Sequence, residues 1–129
     1  MLDHTVFVTD NDQGIRELYR DILCAEGYLP EVAAPHAISA GSIAAAHPDV
    51  ALLELLPGAP STTLALVEQL RASPLTAGTP VVLMTTCPRL LAQLAAPLSR
   101  LGCATMLKPF QLDELLACVK QAVASNPKT

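Results

Sequence analysis

Two stretches of this chain are apolar at every position: Val50-Ala51-Leu52-Leu53 and Val81-Val82-Leu83-Met84. A strand with one wet face alternates apolar and polar residues. A run with no polar break fits a strand buried on both faces, the normal condition inside a parallel sheet. Parallel neighbours cannot be joined by a tight hairpin and need a long crossover, usually a helix. The sequence between the runs supplies such helices, so these two segments already restrict the chain to a layered α/β architecture.

The remaining elements follow the same alternation. Thr5-Val6-Phe7-Val8-Thr9 is a β-prone run stopped by the polar turn Asp10-Asn11-Asp12. Ile15, Leu18, Tyr19 and Ile22 then recur at helical spacing, and Gly27 closes that helix. Tyr28 to Val32 reads as a second strand, and the Ala-rich segment 36–46 as a short helix ended by His47 before Pro48. After the Pro57-Gly58-Ala59-Pro60 break, Ser61 and Thr62 are placed to cap a helix carrying Leu64, Val67 and Leu70. A Leu-rich fourth helix begins near Arg89, Ala104 to Leu107 forms a fifth strand, and Leu112, Leu115, Leu116, Val119 and Val123 mark the last helix. Five strands alternating with five helices predict a doubly wound parallel sheet in one domain over residues 1–125, followed by a polar end, 126–129.

Composition narrows the function. Of the 129 residues, 51% are hydrophobic and only 3% aromatic, so the core is aliphatic and large enough to need no disulfide or structural metal. A net charge of −4 with no basic run argues against nucleic-acid binding, which draws on clustered Lys and Arg. No stretch has the roughly 20 apolar residues that span a bilayer, and the N-terminus lacks a signal-peptide pattern. The expectation is a cytoplasmic protein with no membrane partner. Cys24, Cys87, Cys103 and Cys118 are scattered, as are His4, His36 and His47, and no spacing among them points to a metal site.

In a doubly wound sheet, ligands sit beyond the carboxyl ends of the strands at the switch point. Asp10, Asn11, Glu54 and Thr85 all fall at such ends, and Lys108 follows the fifth strand. Acids, a hydroxyl and an ammonium thus meet on one rim.

Taken together in order, Val8-Thr9-Asp10-Asn11-Asp12, Ile15-Arg16-Glu17-Leu18, Pro48 to Glu54, Pro80 to Thr85 and Lys108-Pro109-Phe110 resemble the response-regulator receiver domains of two-component signalling. The resemblance implies a flavodoxin-like sheet of strand order 2-1-3-4-5. It also implies an acidic pair holding Mg²⁺, a phosphoacceptor Asp ending the third strand, a switch hydroxyl on the fourth, and a Lys, before a cis proline, that pairs with the phosphate. Here Asp10 stands at the first acid and Asn11 at the second. Glu54 takes the acceptor position, Thr85 the switch hydroxyl and Lys108 the phosphate-pairing ammonium. Thr105 falls where the family carries a switch aromatic.

The departures are chemical. Mg²⁺ seeks hard oxygen ligands, and Asn11 offers an oxygen without charge. The extra methylene of Glu54 displaces the carboxylate from near-attack geometry and lets it reach Lys108. The loop at Pro57 and the Gly102–Lys108 interval are each one residue shorter than in the family; counting back from Pro57 would put Leu53 at the acceptor, and neither count supplies an aspartate. The expectation is therefore an atypical receiver domain in phosphorelay signalling, not an enzyme, without a cofactor and with at most weak Mg²⁺ at Asp10, Asn11 and Glu54. It would act as a phosphorylation-independent interaction module for a sensor histidine kinase or downstream signalling protein. The alternatives are a working receiver that transfers phosphate at an unusual residue, or a flavin-binding domain, which the absence of a Gly-rich loop after the first strand disfavours. Pro97 should kink or shorten the fourth helix. Leu90, Leu91, Leu94 and Leu98 either complete the core there or make a partner or homodimer contact through the face of the fourth helix, fifth strand and fifth helix.

Overall fold

The computed structural model describes residues 3–126. Five parallel strands, β1 (Thr5–Thr9), β2 (Leu29–Ala33), β3 (Val50–Glu54), β4 (Val81–Thr85) and β5 (Ala104–Leu107), form one sheet in the order β2-β1-β3-β4-β5. Six α-helices surround it: α1 (Gln13–Ala25), α2 (Ala40–Ala46), α3 (Pro60–Ala72), α4 (Pro88–Gln93), α5 (Ala95–Arg100) and α6 (Leu112–Ser125). This is the flavodoxin-like doubly wound fold, with the strand order reversing between β1 and β3.

The unbroken apolar runs are explained by burial on two sides. Along β3, Val50 and Leu52 join a core with Tyr19 and Leu23 of α1 and Leu115, Val119 and Val123 of α6. Ala51 and Leu53 point the other way, into a core with Ile43 of α2, Val67 and Leu70 of α3, Leu90 and Leu98. β4 divides identically, Val82 and Met84 against Val81 and Leu83. Each fully buried Leu or Val contributes about 1.5–3 kcal/mol relative to exposure.

The expected single fourth helix is two helices, which raises the helix count from five to six. Pro97 has no N–H to donate and its ring crowds the carbonyl four residues back, Gln93. α4 ends at that residue, Leu94 leaves helical geometry (φ −101°, ψ 12°), and α5 restarts with Pro97 in its first turn. Leu90 and Leu98 are buried, and Leu91 and Leu94 pack against the same core. The reading of these leucines as core is the one that holds.

Smaller boundaries also moved for identifiable reasons. Gly27 (φ +86°) lets the Tyr28 N–H return to the Leu23 carbonyl, so Tyr28 completes the end of α1 and β2 starts at Leu29. The segment 36–46 is not one helix. A 3₁₀ turn (Pro35–Ala37) is followed by extended Ile38 and Ser39, and Ser39 with Ser42 forms a reciprocal cap that starts α2 only at Ala40. His47 does end α2, in the left-handed region at φ 49°. Ser61 and Thr62 do not cap α3; Pro60 occupies its first position, where a missing N–H costs nothing. On α1, Leu23 rather than Ile15 or Leu18 fills the core, and Leu112 of α6 is likewise exposed. Leu18 directly precedes buried Tyr19, so it lies on the solvent side of the same turn. Of the expected polar end, Asn126 is buried and its side chain donates to the Asp49 carbonyl (2.8 Å); residues 127–129 lie outside the described residues.

Candidate functional site

β1 and β3 end side by side at the switch point, and the residues just past their apolar stretches converge there. Asp10 follows β1 directly and is buried. One oxygen, Oδ1, accepts the Asp12 N–H at 2.9 Å, which tightens the turn into α1. Asp12 itself is spent as the N-cap of that helix, accepting the Ile15 N–H at 3.0 Å. Glu54 is the last residue of β3. Its N–H donates to Thr9 Oγ1 at 2.9 Å, which fixes the backbone of the two strand ends together.

Lys108 completes the arrangement. Its N–H donates to the Thr85 carbonyl at 2.8 Å, carrying the β4–β5 ladder to the rim, and the Lys108–Pro109 peptide is cis. From there the ammonium reaches Asp10 Oδ2 at 2.5 Å and Glu54 Oε2 at 3.2 Å. One cation thus bridges two carboxylates, all three largely shielded from solvent.

The electrostatics follow from that shielding. Burial pushes the Glu54 carboxyl up from its ordinary value, and the Lys108 charge and hydrogen bond only partly oppose it. Burial alone would lower Lys108, but the hydrogen bond to Asp10 and the neighbouring negative charges outweigh it and hold the ammonium above its usual range. Tyr19 lies beneath the cluster, its hydroxyl 3.9 Å from Met84 Sδ, and burial pushes it up to about 12.

The other expected residues are not part of this ion cluster. Thr85 ends β4 at the same rim and is buried, and its hydroxyl accepts the Cys87 N–H at 3.2 Å. Asn11 is exposed on the turn. Thr105 is exposed on β5 and pairs in register with Leu83, two positions back from Thr85 at the rim. Three contributors went unseen in the sequence. Thr9 holds the Glu54 backbone, Arg16 donates to the Asp10 carbonyl at 2.7 Å, and Thr63 reaches the Glu54 carbonyl at 3.5 Å. Thr9 and Arg16 stood within the stretches that carry the resemblance, but without a role of their own; Thr63 carried no signal.

The resemblance to receiver domains implies Mg²⁺ at this rim, and the donor set fits it poorly. Both Asp10 oxygens are already bonded, one Glu54 oxygen is held by Lys108, Asp12 caps a helix, and Asn11 offers only a neutral amide. A hard dication needs several free oxygens in near-octahedral array. Among the described residues, no group of three or more His, Cys, Asp and Glu converges as a metal cluster, the four cysteines are free, and no helix is long and apolar enough to cross a membrane.

No protein-family model matches the chain, and no curated protein matches it in sequence. Solved structures do match over nearly its whole length. A proposed response regulator from Chloroflexus aurantiacus is 27% identical (TM-score 0.72), covering 95% of this chain and 99% of that one. The chemotaxis response regulator CheY4 of Vibrio cholerae is 21% identical (TM-score 0.78; 94% and 99%). The receiver domain of sensor histidine kinase PA1611 from Pseudomonas aeruginosa, whose active-site cleft holds a magnesium ion, is 16% identical (TM-score 0.75; 95% and 99%). The structural neighbours of this chain are response-regulator receiver domains, and it has their CheY-like fold.

Proposed function

We propose that this chain is an atypical receiver domain of two-component signalling that is not phosphorylated on aspartate and acts as a phosphorylation-independent protein-interaction module. The observation that carries the reading is the single ammonium of Lys108 closing on both Asp10 and Glu54. Phosphoryl transfer is mostly positioning plus electrostatic stabilisation by Mg²⁺ and a cation. Here the cation is engaged by carboxylates, β3 ends in a glutamate, and the switch hydroxyl is bonded to the backbone of its own loop. Mg²⁺ binding is weak on this reading, and the domain has no catalytic turnover of its own.

A surface for partners lies beside the pocket. Exposed Ile15 and Leu18 of α1 and Leu112 of α6 line an apolar cleft of about 290 Å³ together with Phe110. Such a patch fits a sensor histidine kinase or a downstream signalling protein in the cytoplasm. The leucines of α4 and α5 face the core, so that side offers less apolar surface to a second copy of the chain.

Acetyl phosphate with Mg²⁺, followed by intact mass, tests the proposal. The expected result is an unchanged mass, together with small, unsaturated NMR shifts on adding Mg²⁺ and beryllofluoride. Incorporation of one phosphoryl group, or large shifts around Asp10, Thr85 and Lys108, would overturn it in favour of a working receiver.

A further inference from the structure

A second cavity adjoins Glu54 on the opposite side of the sheet from the α1–α6 cleft. It lies between the β2–α2 connection and α3 and encloses about 490 Å³, within the roughly 300–1,000 Å³ range of small-molecule sites. Its origin is local. Because Ser39 caps α2 and delays it to Ala40, the chain passes residues 35–39 as a turn and an extended pair. Ile38 and Ser39 stay extended there, and Ser61, Thr62 and Leu66 from the first turns of α3 line the cleft opposite them.

We propose that this cleft binds a small amphipathic organic cation, a primary amine or amidine on an apolar body, with Glu54 as its counter-ion. Ile38, Leu53, Leu56 and Leu66 supply apolar walls, while Ser39 and Thr63 contribute hydroxyls. Among the residues lining it, Glu54 alone is charged. Glu54, which shares the Lys108 ammonium with Asp10, is thus the one charge that the cleft presents, and it is negative. Only Oε2 of Glu54 is bonded to Lys108; among the described residues Oε1 receives no hydrogen bond. A half-buried carboxylate with an open acceptor favours a charged donor, because hydrogen bonds to ionised groups are the strong ones. Anions are repelled by the same charge, and Lys108 does not line this cleft to attract them. The position, beyond the carboxyl end of β3 at the switch point, is where doubly wound sheets take ligands. The inference rests on the cleft and its charge and is independent of the signalling reading.

The test is an amide NMR titration of the intact chain with hexylamine, using hexanol and hexanoate as controls of matched length. Hexylamine is expected to shift Ile38, Glu54 and Leu66 saturably, with hexanoate silent. Glu54→Gln should weaken hexylamine about tenfold, as loss of a charge-assisted hydrogen bond predicts. Leu66→Trp should block binding by filling the cleft. Thr62→Trp at its exposed mouth serves the same end should the first variant not fold. Equal binding of hexanol and hexylamine, an unchanged affinity in Glu54→Gln, or shifts confined to Ile15 and Leu18 would each overturn the assignment. None of these outcomes depends on whether the protein accepts phosphate.

Discussion

The two ends of this sheet handle polar side chains in opposite ways. At the amino end, Asp49 Oδ2 accepts the Thr5 N–H at 2.8 Å with His4 Nδ1 at 3.7 Å, and Asn126 donates to the Asp49 carbonyl. Those side chains complete backbone hydrogen bonding where strands begin, which is ordinary structural work. At the carboxyl end, Asp10, Glu54 and Lys108 are turned chiefly on one another. Shielded charges have a desolvation penalty that mutual attraction offsets only in good geometry, so such a cluster is weak evidence for stability. What the contrast teaches is that the amino end needs no ligand to explain it, whereas the carboxyl end keeps charge close together where a backbone cap would have sufficed.

The strongest way to break that comparison is to remove the shared cation. Lys108→Met leaves two shielded carboxylates without a partner, and losing one member of a buried ionic group typically costs about 3–5 kcal/mol. Urea unfolding at neutral pH should show a loss of that size. In the triple variant that also carries Asp10→Asn and Glu54→Gln, most of the stability should return. A loss below about 1 kcal/mol, the usual size for exposed pairs, would place the cluster in solvent and dissolve the contrast.

The next experiment sharpens the functional side. Restoring the family's acids with Asn11→Asp and Glu54→Asp adds a full charge and retracts a carboxylate from Lys108. Calorimetric Mg²⁺ affinity should rise at least about tenfold, the equivalent of roughly 1.4 kcal/mol. An unchanged affinity would mean that something other than these two residues holds the pocket closed.

How the sequence announced these regions was uneven. β3 and β4 were legible because burial on both faces leaves an unbroken apolar run, and the rim could be assembled because Asp10, Glu54 and Thr85 end strands. Lys108 was legible through its place before Pro109. The exposed Ile15, Leu18 and Leu112 were not, since helical spacing identifies a stripe without showing how much of it packs against a neighbour. The split at Leu94 was anticipated from Pro97 as a kink. The restart at Ser39 was not, because a serine pair in an Ala-rich run reads as helix until the extended residues ahead of it are seen. Thr63 was invisible because its bond to the Glu54 carbonyl depends on how α3 docks.

The amino end gives a smaller expected effect. Asp49→Ala deprives the Thr5 N–H of its acceptor, and an unmet buried donor costs about 1–3 kcal/mol. Because Thr5 is only part-buried, water recovers some of that, and the loss in urea should sit near the lower limit. Backbone exchange should accelerate at Thr5 while Asp10 and Glu54 resonances stay in place. Shifts at the carboxyl end would show that the two ends are coupled.

The pH profile is expected to carry a still smaller signal. Glu54 has a folded-state pKa above its ordinary value, so the native state binds its proton more readily than the unfolded chain does. Stability from this group is therefore present below the ordinary carboxylate range and falls as pH rises through the raised value. Lys108, also raised, adds stability below the ordinary lysine range that is lost as pH climbs beyond it. Urea midpoints measured against pH should thus decline in two windows, one starting at the glutamate range and one in alkali. Glu54→Gln should remove the first and leave the second weakened, since Lys108 then loses one of its two negative partners. A midpoint that rose with pH through the acidic window, and lost that rise in Glu54→Gln, would mean that attraction to Lys108 exceeds desolvation at Glu54. The carboxyl end would then resemble the amino end after all, as a site where pairing serves the fold.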